Sequence, residues 1–176
     1  RGFAGKVYGG ELSVGDEVVV LPSMTRSKIK DIYFYNKQYK TAPRRSSVTI
    51  TLEDEVNVSR GDMLVKVGDL PTIDKQLTAT ESWMDSADFT PGGKYVLQHG
   101  LNKVLAKVDA IEHKIHPDYS GIEENVTSLQ MNDIAKVRLR LNKPIFYDRF
   151  KDHRTNGSFI IIDSRTNNTA GVGFIE

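Results

Sequence analysis

Residues 134–141 of this chain alternate strictly, with Val137, Leu139 and Leu141 on one side and Lys136, Arg138 and Arg140 on the other. Only an extended chain sends successive side chains to opposite faces, so the run reads as a half-buried β-strand. The same period of two recurs where Val48, Ile50 and Leu52 alternate with Ser47, Thr49 and Thr51. Elsewhere the apolar runs are short and bounded by turn residues. Val18-Val19-Val20-Leu21 stops at Pro22, and Phe159-Ile160-Ile161-Ile162 lies between Asn156-Gly157 and Asp163-Ser164. Helical periodicity is scarce, with room for a short turn around residues 148–151. Short strands spaced roughly 8–12 residues apart, with Gly, Pro and Asn turns between them, imply an all-β chain of sandwiches or closed barrels.

Further strands are expected over residues 5–8, 27–34, 63–67, 76–84, 94–98, 103–115 and 170–175, with Gly9-Gly10 as a turn after the first. Residues 36–45 are polar, contain Pro43 and read as a loop. Gly68-Asp69-Leu70-Pro71 interrupts the pattern and divides the chain into two domains, 1–72 and 73–176. Asn156-Gly157 suits a backbone at positive φ. Gly171 and Gly173, inside a strand, mark close backbone approach or a sharp bend, as at a barrel corner.

The 176 residues are 39% hydrophobic and 27% charged, with a net charge of +1. That is the composition of a globular protein with a real core and no strong field toward polyanions. Residues 1–70 hold 11 Lys+Arg against 9 Asp+Glu, and residues 71–176 hold 13 against 14, so neither half is a basic module. The absence of cysteine removes disulfides, thiolate nucleophiles and Cys-type zinc sites, and fits a reducing compartment. No segment approaches 18 consecutive apolar residues. The first residues read as the inside of a strand with no initiator methionine, as expected for a piece of a longer protein.

Motifs for chemistry are fragmentary. Gly92-Gly93-Lys94 approaches a phosphate-binding loop, but Tyr95 stands where a hydroxyl residue is needed and no helix pattern follows. Gly171-Val172-Gly173 lacks the third glycine of a dinucleotide fingerprint. His113 and His116, near Asp118, would point to opposite faces of a strand and cannot converge on a metal without a bulge. Asp148, His153 and Ser158 have the residue types of a catalytic triad without its setting. The row Lys136, Arg138, Arg140 could meet phosphates but reads better as a solvated face, since no aromatics interleave. Trp83 suits core or interface packing. The residues alone describe a binding or structural module with no catalytic, cofactor or metal site.

Several stretches carry a resemblance. Arg1-Gly2-Phe3-Ala4-Gly5-Lys6-Val7, Gly10 and the Val14-Gly15-Asp16-Glu17-Val18 turn are similar to the second domain of translation-factor-type GTPases. Leu52-Glu53-Asp54-Glu55-Val56-Asn57-Val58-Ser59-Arg60-Gly61-Asp62 resembles one branch, the large GTPase subunit of bacterial sulfate adenylyltransferase (ATP sulfurylase). So do Ser82-Trp83-Met84-Asp85, Pro91-Gly92-Gly93-Lys94-Tyr95, Leu129-Gln130-Met131-Asn132-Asp133-Ile134, and Arg154-Thr155-Asn156-Gly157 through Asp163. Met131-Asn132, Thr155-Asn156-Gly157 and the glycine order of the last strand depart modestly from the usual pattern.

The resemblance implies two consecutive closed β-barrels of the type that follow the GTPase domain in elongation factor Tu, the first with its opening strand truncated. It implies that this segment binds no cofactor itself. GTP and Mg²⁺ would sit in an N-terminal domain of the parent, and ATP and sulfate on a small catalytic subunit. The expected partners are that GTPase domain and that subunit, in the cytoplasm, with neither nucleic acid nor membrane. The rival expectation is a pair of elongation-factor barrels that bind aminoacyl-tRNA. Candidate contact residues within the branch-specific motifs are Glu53, Asp54, Glu55, Arg60, Arg154, Thr155, Asn156 and Gly157.

Overall fold

The structure, a computed structural model, describes residues 1–7 and 10–176, and every described element is a strand, turn or loop. The expected strand end at Tyr8 and the start of the Gly9-Gly10 turn lie outside the described residues. The chain divides into two compact units, Arg1–Pro71 and Thr72–Glu176.

Unit 1 contains β1 (Gly2–Lys6), β2 (Leu12–Ser13), β3 (Glu17–Leu21), β4 (Thr25–Phe34), β5 (Lys37–Tyr39), β6 (Thr41–Ala42), β7 (Ser47–Leu52) and β8 (Met63–Lys66). Hydrogen bonds run β1-β7-β4-β3-β8, with β5 folded back on β4 and a separate β2-β6 ladder. Every pairing is antiparallel. The alternation over 47–52 turns Val48, Ile50 and Leu52 inward, where they meet Val18, Ile29, Ile32 and Ala42.

Unit 2 contains β9 (Thr72–Trp83), β10 (Lys94–His99), β11 (Asn102–Ile115), β12 (Ile122–Glu123), β13 (Ile134–Tyr147), β14 (Ser158–Ile162) and β15 (Thr169–Ile175). Its strand order is β10-β14-β15-β9-β13-β11-β12, and β11 also pairs with β10, which closes a six-stranded ring. Closure removes the unpaired edges that a β-sheet otherwise exposes. Leu77, Ala79, Val137, Leu139, Ile161 and Ile175 fill the interior around Trp83 and Phe89, whose rings lie 4.9 Å apart. The Trp83 Nε1–H is satisfied by the Ala87 carbonyl at 2.8 Å. Gly173 and Gly171 bear out the close approach: a Cβ on Gly173 would meet the Phe159 ring, and one on Gly171 would stand 3.1 Å from the Trp83 indole.

Two readings need correction. Residues 36–45 are not a plain loop, because β5 and β6 lie within them and pair through the backbone while their side chains stay mostly exposed. Gly157 is not at positive φ, nor is Asn156. Glycine is needed at 157 for space, since a Cβ there would collide with the backbone of Phe150 and stand 2.8 Å from the Arg149 carbonyl carbon.

One turn design recurs. Gly15, Gly61 and Asn132 take φ of 89°, 93° and 74° as third residues of four-residue turns. In each, the Asp that follows accepts a hydrogen bond from the backbone N–H of the turn's first residue. Asp16 holds Ser13 at 2.8 Å, Asp62 holds Ser59 at 2.9 Å, and Asp133 holds Gln130 at 2.8 Å. The carboxylate locks a left-handed residue that glycine or asparagine tolerates.

Candidate functional site

The acidic tip follows β7. Glu53 and Glu55 are exposed, but Asp54 is tied down: its carboxylate accepts the Ser27 Oγ–H at 2.8 Å, and its own N–H reaches Ser27 Oγ at 3.3 Å. The Glu53 N–H donates to the Lys28 carbonyl at 2.9 Å. Arg60 is exposed as the second residue of the Asp62-locked turn. Glu53, Glu55 and Arg60 therefore present charge to solvent, and Asp54, also exposed, ties the tip to β4.

The other candidate set splits in two. Arg154 and Thr155 are exposed, while Asn156 and Gly157 are buried. Asn156 is the hub of an internal latch. Its side-chain amide donates to the Phe146 carbonyl at 3.2 Å and to the Asp148 carboxylate at 2.8 Å. Its N–H donates to His153 Nδ1 at 3.0 Å, and its carbonyl accepts from His99 Nε2 at 2.8 Å. That last bond fixes the proton of neutral His99 on Nε2. Burial lowers the His99 pKa, partly offset by its bond to Asn156 and the charge of Asp148.

The same latch disposes of the triad types. Asp148 and His153 both serve Asn156, and Ser158 Oγ donates to the Thr155 carbonyl at 3.3 Å. These bonds of all three therefore hold the backbone and side chains of the 153–158 loop. The cationic row is likewise matched by carboxylates. Lys136 lies 3.1 Å from Glu176, Arg138 3.0 Å from Glu112, and Arg140 3.3 Å from Asp109. His113 sits opposite Lys136 on β13, and His116 opens the turn whose Tyr119 N–H it accepts at 2.8 Å. No group of three or more His, Asp or Glu able to hold a metal gathers among the described residues.

Glu81 is the residue that sequence reasoning passed over. It occupies an inward position of β9, between Ala79 and Trp83, and is fully buried. Both carboxylate oxygens lie without a hydrogen-bond partner, and burial pushes its pKa up to about 8. It is protonated at neutral pH, because desolvation penalises the charged form. The signal was available, since Leu77, Ala79 and Trp83 share its face and a carboxyl interrupts that apolar row.

Residues 76–176 match the family model described as GTP-eEF1A C-terminal domain-like. The chain is 39% identical over 176 residues to the bifunctional enzyme NodQ of Rhizobium meliloti, a match covering 100% of this chain and 27% of the relative. It is 39% identical over 183 residues to sulfate adenylyltransferase subunit 1 of Bacteroides thetaiotaomicron, covering 99% of this chain and 38% of that protein. The chain thus spans well under half the length of these relatives. Among solved structures, sup35 complexed with GDP superposes with a TM-score of 0.88 at 16% identity, covering 99% of this chain and 43% of that one. That likeness establishes the fold, and the matched residues, which take in all of unit 2 after residues 72–75, establish that the chain belongs to the GTP-eEF1A C-terminal domain-like family.

Proposed function

We propose that this chain is the two-unit β region of the GTP-hydrolysing subunit of sulfate adenylyltransferase. In this reading the enzyme joins ATP and sulfate into adenosine 5′-phosphosulfate and pyrophosphate in the cytoplasm. The small subunit performs that chemistry, a nucleotide domain holds GTP and Mg²⁺, and the β units make interdomain and subunit contacts. The carrying observation is identity of 36–39% across 99% of the chain to a sulfate adenylyltransferase subunit 1 and to a bifunctional enzyme CysN/CysC. Glu53, Glu55, Arg60, Arg154 and Thr155 face solvent and are available for such contacts, whereas Asn156 and Gly157 are engaged in their own loop. Such units can couple only by making different contacts in the GTP and GDP states of the nucleotide domain.

The test uses the full-length protein together with the small subunit. Adenosine 5′-phosphosulfate formation should rise when GTP is supplied and fall when GDP replaces it, while the 176-residue chain alone should release no phosphate from GTP. A rate indifferent to GTP, or turnover by the chain alone, would overturn the reading. Specific tRNA binding by the full-length protein would instead move it to translation.

A further inference from the structure

The end of unit 1 where β4 turns into β5 carries a surface that packing does not explain. Tyr35 and Asn36 form a two-residue hairpin turn, both at positive φ, 47° and 63°. Asparagine suits such a turn. A bulky tyrosine in the left-handed region is a strained choice, and strain that stability does not reward points to function. The Tyr35 side chain is 87% exposed, with Phe34 at 37% and Tyr39 at 44% beside it. The Phe34 ring lies 4.6 Å from Tyr35 and 6.2 Å from Tyr39, both edge to face, so the three rings form one projecting apolar knob.

Around that knob the cations outnumber the carboxylates. No Asp or Glu occurs between Asp31 and Glu53, whereas Lys37, Lys40, Arg44 and Arg45 are all exposed. None of the four cations makes an ion pair among the described residues. Asp31 is occupied by Gln38 at 2.8 Å and Thr51 at 3.2 Å. The register gathers these groups at one end of the sheet. Phe34 opposes Lys37, Tyr33 opposes Thr49, and the two arginines lead directly into β7 at Ser47.

We propose that this knob and its cationic rim are a docking surface for a second protein subunit that presents an apolar pocket bordered by Asp and Glu. The inference rests on the reading above, in which the chain belongs to a multi-subunit enzyme, and it names the surface that recognises the other subunit. Exposed aromatic anchors beside arginine are the residue types that dominate protein interfaces, and a rim with an excess of positive charge selects an oppositely charged partner. The edge-to-face rings leave no parallel slots in which successive bases could stack, and a net charge of +1 supplies no long-range pull on a polyanion.

The experiment measures binding of the immobilised full-length protein to the small adenylylating subunit of the same organism, at low and high salt. The double charge reversal Lys37→Glu with Lys40→Glu should weaken binding roughly 30-fold at low salt and flatten its salt dependence. Tyr35→Asn, which relieves the turn and so preserves folding, should weaken binding about 10-fold at both salt concentrations. Wild-type affinity in both variants overturns the surface assignment while leaving the enzyme reading intact. Failure of the unaltered protein to bind the subunit overturns the enzyme reading, and the assignment with it. A fluorescein-labelled 20-mer of oligo(U) is titrated in parallel. Tight binding that the charge reversal abolishes would overturn the protein partner in favour of nucleic acid.

Discussion

The two units differ in how their exposed charges and their glycines are used. In unit 2 the outward row of Lys136, Arg138 and Arg140 is matched by Glu112, Glu176 and Asp109. In unit 1 the cations at the β4–β5 end have no such matches among the described residues. Gly157, Gly171 and Gly173 of unit 2 each meet backbone or a buried ring so closely that a side chain would not fit freely, though Gly92 and Gly100 are open. In unit 1, Gly5, Gly10 and Gly15 face open space and Gly2 meets only the end of the Thr49 side chain. Unit 2 is constrained from inside, by a ring that must close on itself. Where packing explains a residue, that residue says little about partners. The β4–β5 end of unit 1 is the place where packing leaves the residues unexplained.

The sharpest way to break this contrast is to add one methyl group. Gly157→Ala should cost roughly 3 kcal/mol or more, because the atoms in its way are the Phe150 and Arg149 backbone and cannot swing aside. The change would also loosen the Asn156 latch next to it. Gly5→Ala should shift stability by no more than about 0.5 kcal/mol, since its Cβ meets nothing. Urea unfolding midpoints decide. A cost below about 1 kcal/mol at Gly157 would mean that unit 2 is not locked from inside.

Glu81 tests the same interior with an effect of comparable expected size. Burial holds its folded pKa at about 8, against an ordinary value of 4.5. Below pH 4.5 both folded and unfolded states hold the proton. Between 4.5 and 8 the unfolded chain releases it while the folded one keeps it, so stability falls as pH rises. Above 8 both are ionised and the loss is complete, about 5 kcal/mol at most. Glu81→Leu should therefore stabilise unit 2 by roughly 2–4 kcal/mol at pH 8 and by less at pH 5. Glu81→Gln should remove the slope across that window. Thermal unfolding at a series of pH values reads both, and a wild-type slope equal to that of Glu81→Gln would show that the carboxyl finds partners or solvent.

Much of this architecture was legible because alternation survives wherever one face of a strand is buried, as over residues 134–141 and 47–52. It failed for β5 and β6, whose side chains face solvent on nearly every position and so carry no period. It also stopped short on β13, which continues to Tyr147 through Pro144. The proline sits where the β13–β9 register shifts, between Arg140 and Ile145, so its missing N–H is tolerated. The contact candidates were less legible. Asn156 looks like an exposed turn residue until the fold brings up His99, 57 positions away in sequence, to bond its carbonyl. The basic aromatic end was hidden by averaging, because acidic residues elsewhere in residues 1–70 cancel its charge.

The smallest expected effect separates the two kinds of cation. The Arg138–Glu112 pair is 3.0 Å long, but its side chains are 57% and 33% exposed. Water and salt screen such a pair, so Arg138→Ala should cost only about 0.5 kcal/mol, shrinking as salt is raised. Lys40→Ala removes a cation that makes no ion pair among the described residues, in a stretch that also holds Lys37, Arg44 and Arg45. It relieves repulsion, so stability should hold or rise by a few tenths of a kcal/mol, again most at low salt. Opposite signs at low salt that converge at high salt would establish that unit 2 spends its surface charge on its own fold while this end of unit 1 does not. Equal losses in both variants would show that Lys40 has found an anion within the chain, and the contrast between the units would then rest on their glycines alone.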